Sequence, residues 1–325
     1  MKHPYLIDLN DRENWLYPIE LFGPDGHKGE DQRTINMPEG PHKELCVTDS
    51  VMYPGKSSKP SELHCHEHRI GYEDFFVDSG GLDLYINGKK TYVAPGNIIH
   101  LQPYEAHGMN FRAPTKYRGF FHDLGNSDNS PVIAILRAKK PNAMQDPNFT
   151  KYMMGPGDIY MREAPEWVEV PPEQCPNVRN ISRPMAEFKL DGATMKMITA
   201  RWENGGVNEL WGVEMEPGFY AEWVEYPLET EMYYVTAGEV EFTVYDETFV
   251  AYPECVVKIP KFASHSIVAK SNAVMYDIAG KTRWYAFLQD RSSILYYEPE
   301  RAKKPETMAA LKEKFGCMIK KIGRK

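Results

Sequence analysis

Residues 64–80 read HCHEHRIGYEDFFVDSG, a stretch with three histidines at alternate positions. Side chains alternate between the two faces of a β-strand, so His64, His66 and His68 are predicted to share one face. Glu73 follows in the same stretch, and His107 comes 34 residues after Glu73. Imidazole suits Fe, Ni, Cu and Zn, and an added carboxylate also admits Fe(II) and Mn(II). This set of side chains therefore indicates a site for a first-row divalent metal.

This region has a counterpart in the second half of the chain. A shift of 158 positions, without a gap, aligns identical residues at four places, and the apolar positions between them coincide as well. The identical pairs are Glu73 with Glu231, Gly80 with Gly238, Pro95 with Pro253, and His107 with His265. Self-similarity of this kind indicates that one structural unit occurs twice.

The repeated unit is predicted to consist of β-strands. Alternating runs at 82–86 and 91–93 flank Asn87-Gly88, a dipeptide that favours a two-residue hairpin turn. A helical period is rare in this sequence, and the main exception begins at Pro305. Its apolar residues, spaced mostly by three or four positions, are Met308, Leu311, Phe315, Met318, Ile319 and Ile322. They predict one amphipathic helix that packs on the β-rich part or on a partner.

Two motifs of the first copy resemble those of the cupin superfamily. The first motif is HxH, three or four residues, Glu, six residues, and Gly. It is matched by His66, His68, Glu73 and Gly80. The second stretch, PGNIIHLQPYEAH at 95–107, resembles the family pattern PGD…IP…H, with Asn where Asp is usual. The resemblance covers both repeats and implies an all-β bicupin, with two tandem cupin barrels of the jelly-roll type, an N-terminal arm and a C-terminal helix.

The repeat and the flanking composition predict five segments. These are an N-terminal arm at 1–44, a metal-binding cupin barrel at 45–137, a proline-rich linker at 138–195, a second cupin barrel with a degenerate metal motif at 196–290, and a C-terminal amphipathic helix at 291–325.

The family's metal ligands, carried over residue by residue, fall on four positions of the first copy. They are His66, His68, Glu73 and His107. The resemblance thus implies one divalent transition metal per chain, with Fe, Mn, Zn and Ni left open. His64 is extra, and it either supports the ligands or lines the mouth of the pocket. His100 is expected to be structural.

The second copy lacks the HxH pair, since the ungapped shift places Val224 and Tyr226 at those positions. Only Glu231 and His265 remain, and two ligands without a third imidazole make a poor site for Zn, Fe or Mn. The second barrel is therefore predicted to keep the fold and lose the metal. Its two remaining residues either hydrogen-bond each other in a closed interior, the favoured interpretation, or bind a small polar ligand.

Composition narrows the range of partners. The formal net charge of −8 argues against a nucleic-acid binder. No apolar stretch is long enough for a membrane helix, and five cysteines without a CxxC pair fit a reducing cytoplasm. We expect a cytoplasmic homodimer with a small-molecule substrate, without nucleic-acid or membrane partners.

Three functional hypotheses follow from a three-histidine, one-carboxylate site with open coordination positions. The first is an Fe(II)-type dioxygenase of an aromatic or enolic substrate, in which Glu73 also acts as a catalytic base. The alternative is a non-redox metal-dependent isomerase, decarboxylase or lyase. The third is a small-molecule-binding protein without turnover. Fold membership alone does not select among them.

Overall fold

The computed structural model describes residues 3–11, 19–22, 28–36, 45–52, 65–122, 158, 160–162, 166–206, 208–223, 230–279, 284–315 and 319–324. Most of these residues lie in β-strands, and the strands pair antiparallel except where β13 meets β8. The described strands up to residue 180 are β1 (Leu6–Asp8), β2 (Ile19–Phe22), β3 (Lys28–Asn36), β4 (Leu45–Met52), β5 (His66–Glu67), β6 (Tyr72–Ser79), β7 (Leu82–Ile86), β8 (Lys89–Val93), β9 (Ile98–Leu101), β10 (His107–Phe111), β11 (Thr115–His122), β12 (Tyr160–Met161), β13 (Val168–Glu169) and β14 (Val178–Arg179).

The described elements after residue 180 are β15 (Ala186–Leu190), β16 (Ala193–Thr199), β17 (Leu210–Met215), β18 (Phe219–Trp223), β19 (Glu231–Ala237), β20 (Val240–Val244), β21 (Glu247–Ala251), β22 (Cys255–Ile259), β23 (His265–Ala269), β24 (Ala273–Asp277), α1 (Trp284–Tyr297), α2 (Pro299–Ala302), α3 (Pro305–Phe315) and β25 (Ile319–Arg324). Short 3-10 turns lie at Pro172–Gln174 and Arg201–Glu203.

The chain divides into two compact units. Asp11–Asn180 form the first, and Met1–Asn10 with Ile181–Lys325 form the second. We call them the first barrel and the second barrel, because each contains two sheets with a shared apolar core. The all-β fold with two tandem barrels, predicted from the sequence, is confirmed.

The first barrel consists of a sheet in the order β12-β5-β10-β7-β8-β13 and a sheet in the order β14-β9-β6-β11-β4-β3-β2. Apolar side chains from both sheets meet in one core, among them Phe75 of β6, Leu84 of β7 and Ile99 of β9. Alternation along each strand directs these residues inward, as expected when one face of a sheet is buried.

The second barrel repeats this plan. Its sheets have the orders β1-β22-β19-β24-β17-β16-β15 and β21-β20-β23-β18-β25. The strand pairing recurs at the shift found in the sequence. The equivalent pairs are Ile86 with His107 and Val244 with His265, and Glu73 with Leu101 and Glu231 with Ile259. The internal repeat of the sequence is therefore a repeat of strand register.

Two local predictions from the sequence can be seen in the backbone. Asn87 and Gly88 both have positive φ, 50° and 73°, and join β7 to β8 in the primed turn that matches strand twist. Gly80 of the first motif has φ 79°, and a Cβ there would collide with the carbonyl oxygen of Pro114. Only glycine fits this position, for conformational and steric reasons together.

The C-terminal segment differs in part from the prediction. A helix is present at Pro305–Phe315, and its Leu311 and Phe315 belong to the core of the second barrel. The helix does not continue as predicted, because Ile319 and Ile322 lie in strand β25, which pairs with β18. Side chains of a regular strand alternate with a period of two, but the register shifts between Glu222 and Trp223, where β25 has one extra residue, and this irregularity accommodates the spacing of three. Met318 lies outside the described residues.

The predicted linker at 138–195 contains described strands, β12 to β15 and the start of β16, that pair within the two barrels. Its prolines at 171, 172, 176 and 184 lie in the connections between these strands, where a missing N–H disturbs no ladder. The predicted N-terminal arm is divided as well. Strand β1 pairs with β22, whereas β2 and β3 extend the sheet that contains β4. The five segment boundaries stay a prediction.

Among the described residues, no helix combines the length and the apolar character needed to cross a bilayer.

Candidate metal centre

The fold brings four predicted side chains together from both sheets of the first barrel. His66 on β5 lies opposite His107 on β10 in the strand register, and Glu73 lies on β6 of the other sheet. His68 follows directly after β5. One donor atom from each of the four residues lies within 4.8 Å of the others. Both sheets of the first barrel therefore contribute side chains to this group.

The distances fit a single metal ion. Glu73 Oε1 lies 3.2 Å from His68 Nε2, and Glu73 Oε2 lies 3.3 Å from His107 Nε2. Adjacent donors that each bind an ion at about 2.2 Å are separated by about 3.1 Å in octahedral geometry. Three imidazole nitrogens and one carboxylate oxygen would fill four positions of a six-coordinate ion and leave two open.

Two of the imidazoles are oriented by backbone carbonyl groups. His68 Nδ1 lies 2.7 Å from the carbonyl oxygen of Asp158, and His107 Nδ1 lies 2.9 Å from that of Glu105. A carbonyl oxygen only accepts hydrogen bonds, so Nδ1 donates in both cases and Nε2 faces the other donors. Carbonyl partners of this kind fix the ring orientation of metal-ligating histidines.

Burial and charge determine the pKa values of the site without metal. Burial alone would raise the pKa of Glu73, but the adjacent His68 and His107 outweigh it by charge and hydrogen bonding and hold that pKa well below its usual range. Burial alone would lower the pKa of His68, but Glu73 outweighs it and raises that pKa. Glu73 is therefore a carboxylate at neutral pH, as a metal ligand must be.

His100, a further histidine of the first repeat, lies apart from this group. His100 is fully buried on β9, and its Nδ1 lies 2.8 Å from Asp74 Oδ1 rather than near Glu73. His100 pairs with Asp74 in the strand register, and both side chains lie on the face of the sheet opposite to that of Glu73, which suits the expected structural role. His64 lies outside the described residues.

The second barrel has a different group at the equivalent place. His265 Nε2 lies 3.5 Å from Glu231 Oε2, and the hydroxyl of Tyr233 donates a hydrogen bond to the same carboxylate. The shift of 158 makes Tyr233 the counterpart of Phe75, which has no hydroxyl. In the second barrel a tyrosine hydroxyl therefore bonds the Glu231 carboxylate, whereas its counterpart in the first barrel, Glu73, faces two imidazoles.

The register also corrects the alignment of the missing histidines. Trp223 pairs with His265 as His66 pairs with His107, so Trp223, not Val224, is the counterpart of His66. The alignment of β18 with β5 therefore differs by one residue from the ungapped shift. Val224 and Tyr226 lie outside the described residues.

Comparison with solved structures places this architecture among known folds. The crystal structure of Lactobacillus farciminis oxalate decarboxylase in complex with formate has a TM-score of 0.51 and 15% identity, over 94% of this chain and 97% of that chain. The chain has the bicupin fold. Two structures of Bacillus subtilis oxalate decarboxylase, one of a mutant and one from a study of its Mn(II) centers, also match this bicupin. Their TM-scores are 0.51 and 0.50 at 15% and 16% identity, over 85% of this chain and 77% of each matched chain.

No protein-family model matches the bicupin, and no curated protein sequence matches it. At these identities the structural matches establish the fold, and the chemistry must be argued from the site itself. That site suits one divalent metal through His66, His68, Glu73 and His107. Among the described residues, no second group of this kind occurs in the bicupin.

Sequence reasoning missed two residues of the bicupin that contact these groups. Tyr233 is recognisable only by comparing the repeats, where tyrosine replaces phenylalanine at one position. Asp158 contacts His68 from 90 positions away, in a segment interpreted as a linker. Nothing in its sequence context indicates that contact.

Proposed function

We propose that this bicupin is a metal-dependent enzyme that performs a non-redox reaction on a small molecule with a carboxylate or carbonyl group, of the decarboxylase, isomerase or lyase type. The observation that carries the proposal is the group of His66, His68, Glu73 and His107, whose spacing suits one ion. Support for decarboxylation within this class comes from the structural neighbours, which are oxalate decarboxylases.

The donor set supports a metal that binds substrate oxygen directly. Three nitrogens and one oxygen leave about two positions of an octahedral ion for the substrate. A metal bound there would act as a Lewis acid and polarise the carboxylate or carbonyl group that reacts. The neighbours include a protein with Mn(II) centers, and Mn(II) suits carboxylate and imidazole ligands, so we propose Mn(II) as the first metal to test.

The burial of the four side chains indicates where a substrate enters. His68, Glu73 and His107 are buried, whereas His66 is partly exposed. The accessible side of the site is therefore at His66. We therefore propose that a small molecule would reach a bound ion from this side.

Charge in the first barrel supports direct binding of an anionic group by the metal. Among the described residues of this barrel, Arg118 is the one buried lysine or arginine. Its guanidinium pairs with Asp78, on the face of the sheet opposite to that of Glu73. We therefore propose that the metal ion, rather than an arginine side chain, balances the charge of a substrate carboxylate.

Glu73 is proposed chiefly as a ligand. A general base works best with a pKa near the operating pH, and the His68 and His107 side chains hold the pKa of Glu73 far below that. Its role as a catalytic residue stays a prediction. Replacement by glutamine tests it, because Glu73→Gln keeps a ligand oxygen and removes a proton acceptor. Retained metal with lost turnover would support the catalytic role.

The dioxygenase expectation receives no support from the neighbours, which are named as decarboxylases. The experiment that separates the hypotheses is turnover of small carboxylic acids by Mn(II)-loaded protein under strict anaerobiosis and by Fe(II)-loaded protein in air-saturated buffer, each with His107→Ala as the control. The proposal expects carbon dioxide release or isomerisation without oxygen uptake, and no product with His107→Ala. Stoichiometric oxygen consumption coupled to product formation would favour the dioxygenase, and binding without product would favour the binding protein.

The homodimer and the cytoplasmic location expected from the sequence stay predictions of this proposal. Sedimentation velocity of the full chain tests the first, and fractionation of the source cells tests the second.

A further inference from the structure

A short segment far along the chain lies against the strand that carries the metal ligands. Strand β12 pairs antiparallel with β5, so that Tyr160 lies opposite Glu67 and Met161 opposite His66. The backbone N–H of Arg162 donates to the carbonyl oxygen of Cys65 at 2.8 Å. This pairing brings Asp158 and residues 160–162 to the site.

Asp158, which precedes β12, contacts the site through its backbone and its side chain. It is 4% exposed, and its carbonyl oxygen accepts the hydrogen bond from His68 Nδ1. Its carboxylate accepts three successive backbone N–H groups, from Arg69 at 2.9 Å, Ile70 at 2.8 Å and Gly71 at 2.9 Å. One residue therefore holds a ligand ring and the loop that follows it.

The position of that loop matters because it connects two ligands. Residues 69–71 lead from His68 to the start of β6, which carries Glu73. Hydrogen bonds to a charged acceptor are stronger than those between neutral groups, and three on one carboxylate fix the loop firmly. The positions of His68 and Glu73 relative to each other depend on this loop.

Side chains on both strands fasten the segment further. The Arg69 guanidinium carbon lies 3.9 Å from the centre of the Tyr160 ring, and the Arg162 guanidinium pairs with Glu67. Glu67 is buried, and hydrogen bonding to Arg162 is the main cause that lowers the pKa of its carboxyl. The segment is thus attached, through Tyr160 and Arg162, to the residues on either side of His68.

We propose that Asp158 is a positioning residue of the metal centre. Its carbonyl group turns His68 Nε2 towards the ion, and its carboxylate holds residues 69–71 so that His68 and Glu73 keep the spacing of adjacent ligands. This role rests on the proposed function, because it presumes a metal at the four residues. The segment between the two copies of the repeat is then part of the metal centre rather than a spacer.

The backbone of Asp158 determines the variants that test this role. Its φ is 58°, in the left-handed region that glycine and asparagine tolerate best. Asp158→Gly removes the carboxylate without adding backbone strain, and Asp158→Asn keeps one acceptor oxygen. Glu254→Gly is the matched control, because Glu254 is an acidic residue with φ 71° in the second barrel.

The first measurement is the dissociation constant for Mn(II), determined by chelator competition with full-length protein. Asp158→Gly keeps the backbone carbonyl group that bonds His68 and removes only the carboxylate that holds residues 69–71. We expect this variant to weaken binding about 10-fold, the lower end of the loss that follows removal of an outer-shell partner. Asp158→Asn should recover part of the loss, and Glu254→Gly should match the wild type. The Mn(II) electron paramagnetic resonance spectrum should broaden in Asp158→Gly, because the ligands no longer share one geometry.

The second measurement needs no metal. Amide hydrogen exchange at residues 69–71 should accelerate in metal-free Asp158→Gly and stay slow in Glu254→Gly. Unchanged Mn(II) affinity and unchanged exchange in Asp158→Gly would overturn the role of Asp158 alone. A wild-type protein that binds no Mn(II) would overturn the proposed metal site, and this role with it. Thermal melting of each variant identifies any global loss of fold.

Discussion

Replacement of Tyr233 by phenylalanine is expected to destabilise the second barrel without disturbing its packing. Tyr233 is 3% exposed and Glu231 is 2% exposed, and the tyrosine hydroxyl donates to the carboxylate. Loss of a hydrogen bond to a buried charged group costs about 1.5–3 kcal/mol. The ring itself should still fit, because the first barrel has Phe75 at the equivalent position. Spread over a unit of this size, the change should lower Tm by about 3–10 °C.

The assay is urea unfolding followed by circular dichroism, with thermal melting as a second measurement. Tyr245→Phe is the control, because Tyr245 is 52% exposed in a turn of the same barrel and should change stability by less than about 0.5 kcal/mol. If Tyr233→Phe unfolds at the same urea concentration as the wild type, the hydroxyl does not stabilise the Glu231 carboxylate, and the role given to Tyr233 in the second barrel is wrong.

Three further predictions concern stability. In metal-free protein, the lowered pKa of Glu73 stabilises the fold above pH 4.5, the ordinary pKa of a glutamate, and this stability is lost as the pH falls through the folded pKa. The raised pKa of His68 stabilises the fold below pH 6.5, the ordinary pKa of a histidine, and this stability is lost as the pH rises through the folded pKa. The urea midpoint should therefore be highest between pH 4.5 and pH 6.5 and fall on either side, and a midpoint that stays the same both below and above this interval would contradict the pairing. Gly80→Ala should be markedly less stable than Gly96→Ala, because both have positive φ but only the first would meet a neighbour, and equal melting temperatures would refute the steric argument. Leu311→Ala should lower the free energy of unfolding in urea by about 2–5 kcal/mol, because Leu311 is in the core. Leu295→Ala in α1 should lower it little, because Leu295 is exposed.

The sequence was informative wherever a residue type can do only one thing at its position. Asn87-Gly88 predicted a turn with positive φ at both residues, and the backbone has it. The HxH pair and Glu73 predicted a shared site because alternation and spacing fix which faces they occupy, and the structure brings them together. These predictions needed no knowledge of distant parts of the chain.

Predictions failed or were incomplete where distant segments decide the outcome. Ile319 and Ile322 continue an apolar spacing, but pairing with β18 places them in a strand rather than in the predicted helix. Trp223 becomes the counterpart of His66 through strand register, which an ungapped alignment does not reveal. Asp158 reaches His68 because β12 adds to β5, a pairing that two short strands do not signal in sequence.

Metal content per chain tests the central claim most directly. Wild-type protein, His107→Ala and His265→Ala are purified without chelator, supplied with Mn(II), and analysed by elemental mass spectrometry. The bound metal should be one equivalent in the wild type and in His265→Ala, and close to zero in His107→Ala, because the complete ligand group lies in the first barrel alone among the described residues. Stoichiometric metal in His107→Ala, or its loss in His265→Ala, would contradict the assignment of the site.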